Sequence, residues 1–200
     1  MALFLGDMAA VIRTTSGHPC VLQYAPFNEG DCWDLFNVPD VVALARELDP
    51  TRLIDAISGG VNQRTPNADL GDVTDKHTYP APGDLNGTAT QYALLGEYGG
   101  IGAIVKGKEW RVGGCHSYGE EPTPAAQAVA FTAMAASLQS KVGHLSGAIL
   151  TQITDIESEC DGFLNYDRSS KFSAAQLASV KLATRAVIAA AAKLGGDAAA

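Results

Sequence analysis

The hydrophobic positions of the chain fall into short apolar runs that are separated by amphipathic or polar segments. Runs rich in β-branched and aromatic residues are typical of buried strands, and they predict strands at residues 20–25, 52–56, 72–77, 92–97 and 147–153. Apolar spacing of three and four residues predicts helices over residues 7–15, 39–48, 124–142 and 173–195. A polar loop is expected over residues 62–71. Strands that alternate with helices favour an α/β fold with parallel pairing.

The last helix has the clearest local markers. Ser173 and Gln176 have the spacing of a capping box at its start, and Gly195 is the expected stop. The Ala-rich segment over residues 186–192 is expected to pack in the core.

Length and composition indicate one globular domain over residues 1–200, with 46% hydrophobic residues. A net charge of −8 excludes a nucleic-acid or anionic-membrane surface, whereas neutral partners such as sugars are compatible with it. No run of about eighteen apolar residues predicts a membrane helix. The first residues lack a basic region and reach Asp7 too early for a signal peptide, which favours a cytosolic location.

Neither cysteines nor acidic residues predict a metal site or a cofactor. The cysteines lack C-x-x-C spacing, so buried thiols are favoured over a zinc site or a disulfide framework at Cys20, Cys32, Cys115 and Cys160. A solvated or internally hydrogen-bonded acidic loop is favoured over a metal cluster at Asp155, Glu157 and Glu159.

Two glutamates follow predicted buried strands. Glu29 comes after the run at residues 20–25, and Glu97 ends the run that begins at Tyr92. Sheets of parallel strands place their chemistry at the carboxyl ends of the strands. The two positions therefore predict a site with paired carboxylates.

Five motifs, in this order, resemble the catalytic barrel of glycoside hydrolase family 2, which includes β-galactosidases, β-mannosidases and β-glucuronidases. The motifs are HPCVL with PFNEG at 18–30, LDPTR at 48–52, DVTDKHTYP at 72–80, LGEYGG at 95–100, and TQITDIE to NYDR at 151–168. The likeness covers residues 18–182, and residues 183–200 form a helix end and an Ala-rich tail. It implies a partial (β/α)8 TIM barrel with about five parallel strands, corresponding to the fourth to eighth of the barrel, in a fragment of a longer enzyme.

The resemblance also implies a mechanism. Glu29 matches the acid/base of the family and Glu97 its nucleophile, and carboxylates about 5 to 5.5 Å apart would hydrolyse glycosides with retention. The chain departs from the family pattern after the nucleophile, where Lys106 and Lys108 replace an acidic residue and a histidine.

Five further residues are candidate sugar contacts. Asn28 is expected to donate to a sugar hydroxyl, the alternative being an Asx-turn. His77 and Tyr79 stand at a strand exit, where glycan contact is favoured over a structural role. Trp33 and Trp110 are suited equally to stacking on a sugar and to ordinary packing.

The leading functional hypothesis is a retaining, β-galactosidase-like O-glycosyl hydrolase with a carbohydrate substrate. A non-catalytic partial-barrel remnant that binds carbohydrate or another chain stays open, because three absent strands would expose two sheet edges. Such a remnant would form oligomers or need the other half of the barrel. An acidic α/β binding module is a third possibility.

Overall fold

The computed structural model describes residues 1–30, 32–60 and 70–197. The helices in these ranges are α1 (Ala2–Thr15), α2 (Cys32–Leu35), α3 (Val38–Leu48), α4 (Pro124–Gln139) and α5 (Ala174–Asp197). The strands are β1 (Gln23–Tyr24), β2 (Leu53–Ile54), β3 (Val73–Thr78), β4 (Tyr92–Gly99), β5 (Ile101–Gly102), β6 (Gly119–Glu120) and β7 (Gly147–Thr151). The predicted loop at 62–71 lies outside the described residues up to residue 69.

The strands form three small sheets. β1 pairs in parallel with β2, β5 pairs in parallel with β6, and the third sheet has the order β3, β4, β7. Helices together with parallel strands confirm the predicted α/β class, and a strand occurs at each of the five predicted places. The two-residue strands β5 and β6 were not predicted, because they lie in a Gly-rich segment without an apolar run. Closure into a barrel stays a prediction.

The chain divides into two compact units. The first comprises Met1–His77 and Leu85–Gly96, and the second comprises Thr78–Asp84 and Glu97–Ala200. Strand β4 passes from the first unit into the second between Gly96 and Glu97.

An aromatic cluster lies in the core of the first unit. The rings of Phe4, Phe27 and Phe36 are 4.8 to 5.3 Å apart, and they pack with buried residues of α3 such as Val41. Phe27 directly precedes Asn28 and Glu29. Because core side chains are closely packed, this cluster fixes the backbone that presents the two polar residues.

Helix α4 forms the core of the second unit with α5. It begins as predicted, since the Thr123 hydroxyl accepts a hydrogen bond from the N–H of Ala126 at 3.2 Å, but it ends at Gln139 instead of 142. The rings of Phe131 and Phe172 both pack on Phe163, at 5.0 and 5.2 Å.

Helix α5 starts as predicted and then departs from the prediction. The N–H of Ser173 donates to Gln176 Oε1 at 2.8 Å, which confirms the capping box. The helix runs through Gly195 to Asp197, so the predicted stop is wrong; glycine permits a helix end without imposing one. The expected core packing of residues 186–192 is confirmed only in part. Val187 packs against the core together with Val180 and Ala183, whereas residues 188, 189, 191 and 192 are exposed. No described helix is long and apolar enough to span a membrane.

Two of the four cysteines form a disulfide, which corrects the prediction of thiols. Cys115 and Cys160 are bonded across 45 residues, while Cys20 is exposed and Cys32 is buried. Backbone pairing next to the bridge brings the two segments together, with the N–H of Cys160 donating to the His116 carbonyl at 2.9 Å. Sequence spacing carries no information on such a long-range contact.

The predicted internal hydrogen bonding of the acidic loop is confirmed at Asp155. Its carboxylate lies 2.8 Å from the buried Lys171 ammonium and accepts the N–H of Gly162 at 2.9 Å. Lys171 also donates to the Cys160 carbonyl at 2.9 Å. Burial raises the pKa of Asp155, and the hydrogen bond and charge of Lys171 oppose that rise.

We expect Lys171→Met to lower the free energy of unfolding by about 3 to 5 kcal/mol, because it leaves the Asp155 carboxylate buried without its cation. Urea unfolding measures the change. The control is Lys108→Met, which removes an exposed lysine that lies 2.5 Å from Asp167 and should change stability little. Equal stability of Lys171→Met and wild type would contradict the assigned role of the buried pair.

Candidate active site

Backbone pairing with the segment after β2 fixes Glu29. Asn28 forms a parallel bridge with Ser58, the N–H of Glu29 donates to the Ser58 carbonyl at 3.0 Å, and the N–H of Ser58 donates to the Phe27 carbonyl at 2.9 Å. Glu29 has a φ of 50°, in the left-handed region. Its side chain remains 47% exposed. The carboxylate is therefore held by rigid backbone and is accessible to a ligand.

The buried His77 ring is the partner of Glu29. Side chains of β3 alternate between buried and half-buried positions, and His77 is on the buried face. Its Nδ1 is hydrogen-bonded to Glu29 Oε1, and its Nε2 lies 2.9 Å from Ser58 Oγ. A Cβ at Gly59, which has a φ of +76°, would lie 2.9 Å from Nδ1. Glycine at this position therefore makes room for the imidazole.

Behind His77 lies a pair of buried carboxyl groups. Asp75 accepts the N–H of Gly96 at 2.9 Å and lies 3.2 Å from Ser58 Oγ. A Cβ at Gly96 would be 2.1 Å from Asp75 Oδ2, so only glycine leaves space for this carboxylate. Burial, followed by the hydrogen bond to Asp75, raises the pKa of Asp55 to about 9. Asp55 thus holds a proton at neutral pH.

This pair predicts a pH dependence of stability. A carboxyl whose pKa is raised on folding binds a proton more tightly in the folded state, so its contribution is complete below its ordinary pKa of 3.8 and is lost as the pH rises towards about 9. We expect Asp55→Asn to remove this loss, because an amide of the same shape does not ionise. The stability of the variant relative to wild type should rise by up to about 1.4 kcal/mol per pH unit over this window.

Urea unfolding at several pH values between 5 and 8 measures the difference. The same pH slope in both proteins would contradict the assignment of the retained proton to Asp55.

Glu97 lies in the second unit near the end of β4, with a tyrosine as its partner. The Tyr79 phenol donates to Glu97 Oε2 and lies 2.9 Å from the Thr151 hydroxyl. Burial, and then the hydrogen bond to Glu97, raises the pKa of Tyr79, so the phenol stays a donor. The Tyr118 ring stacks on Tyr79 with a centroid distance of 3.8 Å. A Cβ at Gly100 would lie 2.5 Å from Tyr118, so glycine permits this stack.

The other predicted sugar contacts differ in exposure. Asn28 is exposed, and the Trp110 ring is 49% exposed and 6.4 Å from the ring of Tyr166. Trp33 packs against the core of the first unit, which favours packing over stacking for this residue. Lys108, one of the two departures from the family pattern, pairs with Asp167 at 2.5 Å.

Sequence reasoning missed five residues that support the two glutamates. They are Asp55, Ser58 and Asp75 in the first unit, and Tyr118 and Thr151 in the second. Asp75 could have been found, because a strand places residues two apart on the same face and His77 was already a candidate. The others come from distant parts of the chain and have no local pattern.

Comparison with known proteins supports a glycoside-hydrolase-like fold. No protein-family model and no curated protein matches the chain. An FMN-binding β-glucuronidase from Facaelibacterium prausnitzii L2-6 matches 92% of this chain over 32% of its own, with a TM-score of 0.62 and 17% identity. A β-D-glucuronidase of Dictyoglomus thermophilum matches 90% of this chain over 35% of its own, with a TM-score of 0.53 and 15% identity.

An exo-β-agarase is also similar, with a TM-score of 0.52 and 14% identity over 77% of this chain and 22% of its own. The chain thus spans about a fifth to a third of the length of these structures. At identities this low, the comparisons support a similar fold and no more.

Proposed function

We propose that the protein is a retaining glycoside hydrolase that acts on β-glycosides, with Glu97 as nucleophile and Glu29 as acid/base. The observation that carries the proposal is the support given to each glutamate: a buried imidazole bonds to Glu29, and a phenol kept protonated bonds to Glu97. Likeness of fold to β-glucuronidases and an agarase supports the same reaction class. The family 2 barrel implied by the sequence motifs is part of the proposal.

In the first step, Glu97 attacks the anomeric carbon while the bond to the leaving oxygen breaks and Glu29 gives that oxygen a proton. In the second step, Glu29 takes a proton from water, which attacks the same carbon and releases Glu97. The Tyr79 phenol orients the Glu97 carboxylate through Oε2. A nucleophile held in a fixed orientation before the reaction needs less ordering to reach the anomeric carbon.

Sugar binding is assigned to four of the residues that the sequence predicts as sugar contacts. Asn28 and Trp110 are exposed and are proposed to contact the sugar by hydrogen bonding and by stacking. His77 and Tyr79 each bond to a glutamate, so any sugar contact that they make is next to the reacting groups.

Substitution of the glutamates tests the assignment. We expect Glu97→Gln to lower kcat by about a thousandfold or more on every substrate, since it removes the nucleophile. Glu29→Gln should cost about 10²- to 10⁴-fold on alkyl β-glycosides and far less in the first step on dinitrophenyl β-glycosides, whose leaving groups need no proton. Steady-state and burst kinetics on β-galactosides and β-glucuronides measure both effects.

The matched control is Glu157→Gln, at an exposed glutamate whose φ of 48° resembles that of Glu29. It should keep wild-type rates. Wild-type turnover of alkyl β-glycosides by either active-site variant would refute the assignment. Binding of β-glycosides without hydrolysis by the wild type would favour a carbohydrate-binding protein instead.

A further inference from the structure

Both ring nitrogens of His77 have a defined partner, although its side chain is only 3% exposed. Nδ1 is bonded to Glu29 and Nε2 to the Ser58 hydroxyl. Ser58 also accepts the backbone N–H of Glu29 through its carbonyl. Ser58 therefore fixes both the backbone of Glu29 and the His77 imidazole that the Glu29 side chain contacts.

The position of one proton on His77 follows from Ser58 and Asp75. Ser58 has a single hydroxyl proton, and the Asp75 carboxylate 3.2 Å away is an acceptor. Asp75 already accepts the N–H of Gly96, and the protonated Asp55 donates to it. The hydroxyl of Ser58 therefore donates to Asp75, and its oxygen accepts from the N–H at Nε2 of His77.

With Nε2 protonated, Nδ1 and Glu29 need one further proton between them. We propose that Glu29 and His77 act as a pair that shares this proton, and that Ser58 and Asp75 are positioning residues that hold His77 in the required tautomer. The inference rests on the proposed function, because it assigns to this pair the proton that the leaving oxygen receives. It assigns to His77, Ser58 and Asp75 a part in the proton transfer by Glu29.

The proton balance over both steps is complete. In the first step, Glu29 passes the shared proton to the leaving oxygen, so the Glu29 carboxylate then faces the Nδ1 lone pair of neutral His77. Two acceptors in contact repel each other, which increases the tendency of Glu29 to take a proton. In the second step, Glu29 takes a new proton from the attacking water, whose oxygen bonds to the anomeric carbon as Glu97 is released, and the pair returns to its starting state.

Kinetics on a series of leaving groups tests the role of Ser58. Ser58→Ala removes the acceptor for the Nε2 proton, so we expect kcat/KM to fall about tenfold on alkyl β-glycosides and little on dinitrophenyl β-glycosides. His77→Gln should show the same trend with a loss of about a hundredfold on alkyl substrates. Loss that grows with the pKa of the leaving group is characteristic of impaired proton delivery.

A matched control is available in the same unit. Thr51→Val removes another hydroxyl that donates to a buried carboxylate, that of Asp49, at 2.6 Å. It should show no dependence on the leaving group. A loss in Ser58→Ala that is equal on all substrates, or no loss on alkyl substrates, would overturn the inference.

Nitrogen NMR on ¹⁵N-histidine-labelled protein tests the tautomer without relying on activity. The chain has four histidines, and His77→Gln assigns the ring in question. We expect a proton bound at Nε2 and a Nδ1 signal shifted by a shared proton. A neutral ring protonated at Nδ1 alone would overturn the inference and leave the proposed function intact. Absence of glycosidase turnover in a protein with the expected tautomer would instead contradict the proposed function, together with the proton delivery assigned to the pair.

Discussion

The structure around Glu29 depends on the hydrogen bonds that the buried carboxyl group of Asp75 accepts. A polar group removed from water is tolerated only when hydrogen bonds replace its hydration. Donors to Asp75 come from three places: the backbone of Gly96, the hydroxyl of Ser58 and the retained proton of Asp55. Each donor belongs to a different part of the chain, so hydrogen bonding to this one buried carboxyl group also orders strand β4, the segment after β2 and the ring of His77.

In the second unit, aromatic packing positions the side chain that is hydrogen-bonded to Glu97. The Tyr79 ring is held between the stack with Tyr118 and the tight approach to Gly100, and its phenol meets the carboxylate. The segment that carries Tyr118 is joined to the chain at Cys160 by the disulfide at Cys115. Support for each glutamate is thus built from a different kind of interaction.

Local chemistry explains what could be predicted from the sequence. The alternation of β3, the capping box at Ser173 and the position of each main strand depend on neighbours a few residues apart, and all are found. The two glutamates follow from their place after apolar runs together with the family-like motifs. Their supporting residues could not be predicted, because Ser58 reaches His77 across 19 residues through contacts that leave no periodic pattern.

The predictions that failed concern features that local sequence does not determine. The disulfide joins residues 45 apart, and residues 188, 189, 191 and 192 in the Ala-rich part of α5 are exposed. Composition alone favours burial of alanine, but burial needs a neighbouring surface. The stop predicted at Gly195 fails because glycine allows several backbone conformations without selecting one.

The central claim is that Glu97 forms a covalent bond to the substrate. The most direct measurement is incubation of the protein with a panel of 2-deoxy-2-fluoro β-glycosides, which slow release of the glycosyl group, followed by intact mass and peptide mapping. The account predicts one sugar adduct on the peptide that contains Glu97, and no adduct in Glu97→Gln. An adduct on another residue, or hydrolysis of the same sugars without any covalent species, would contradict it.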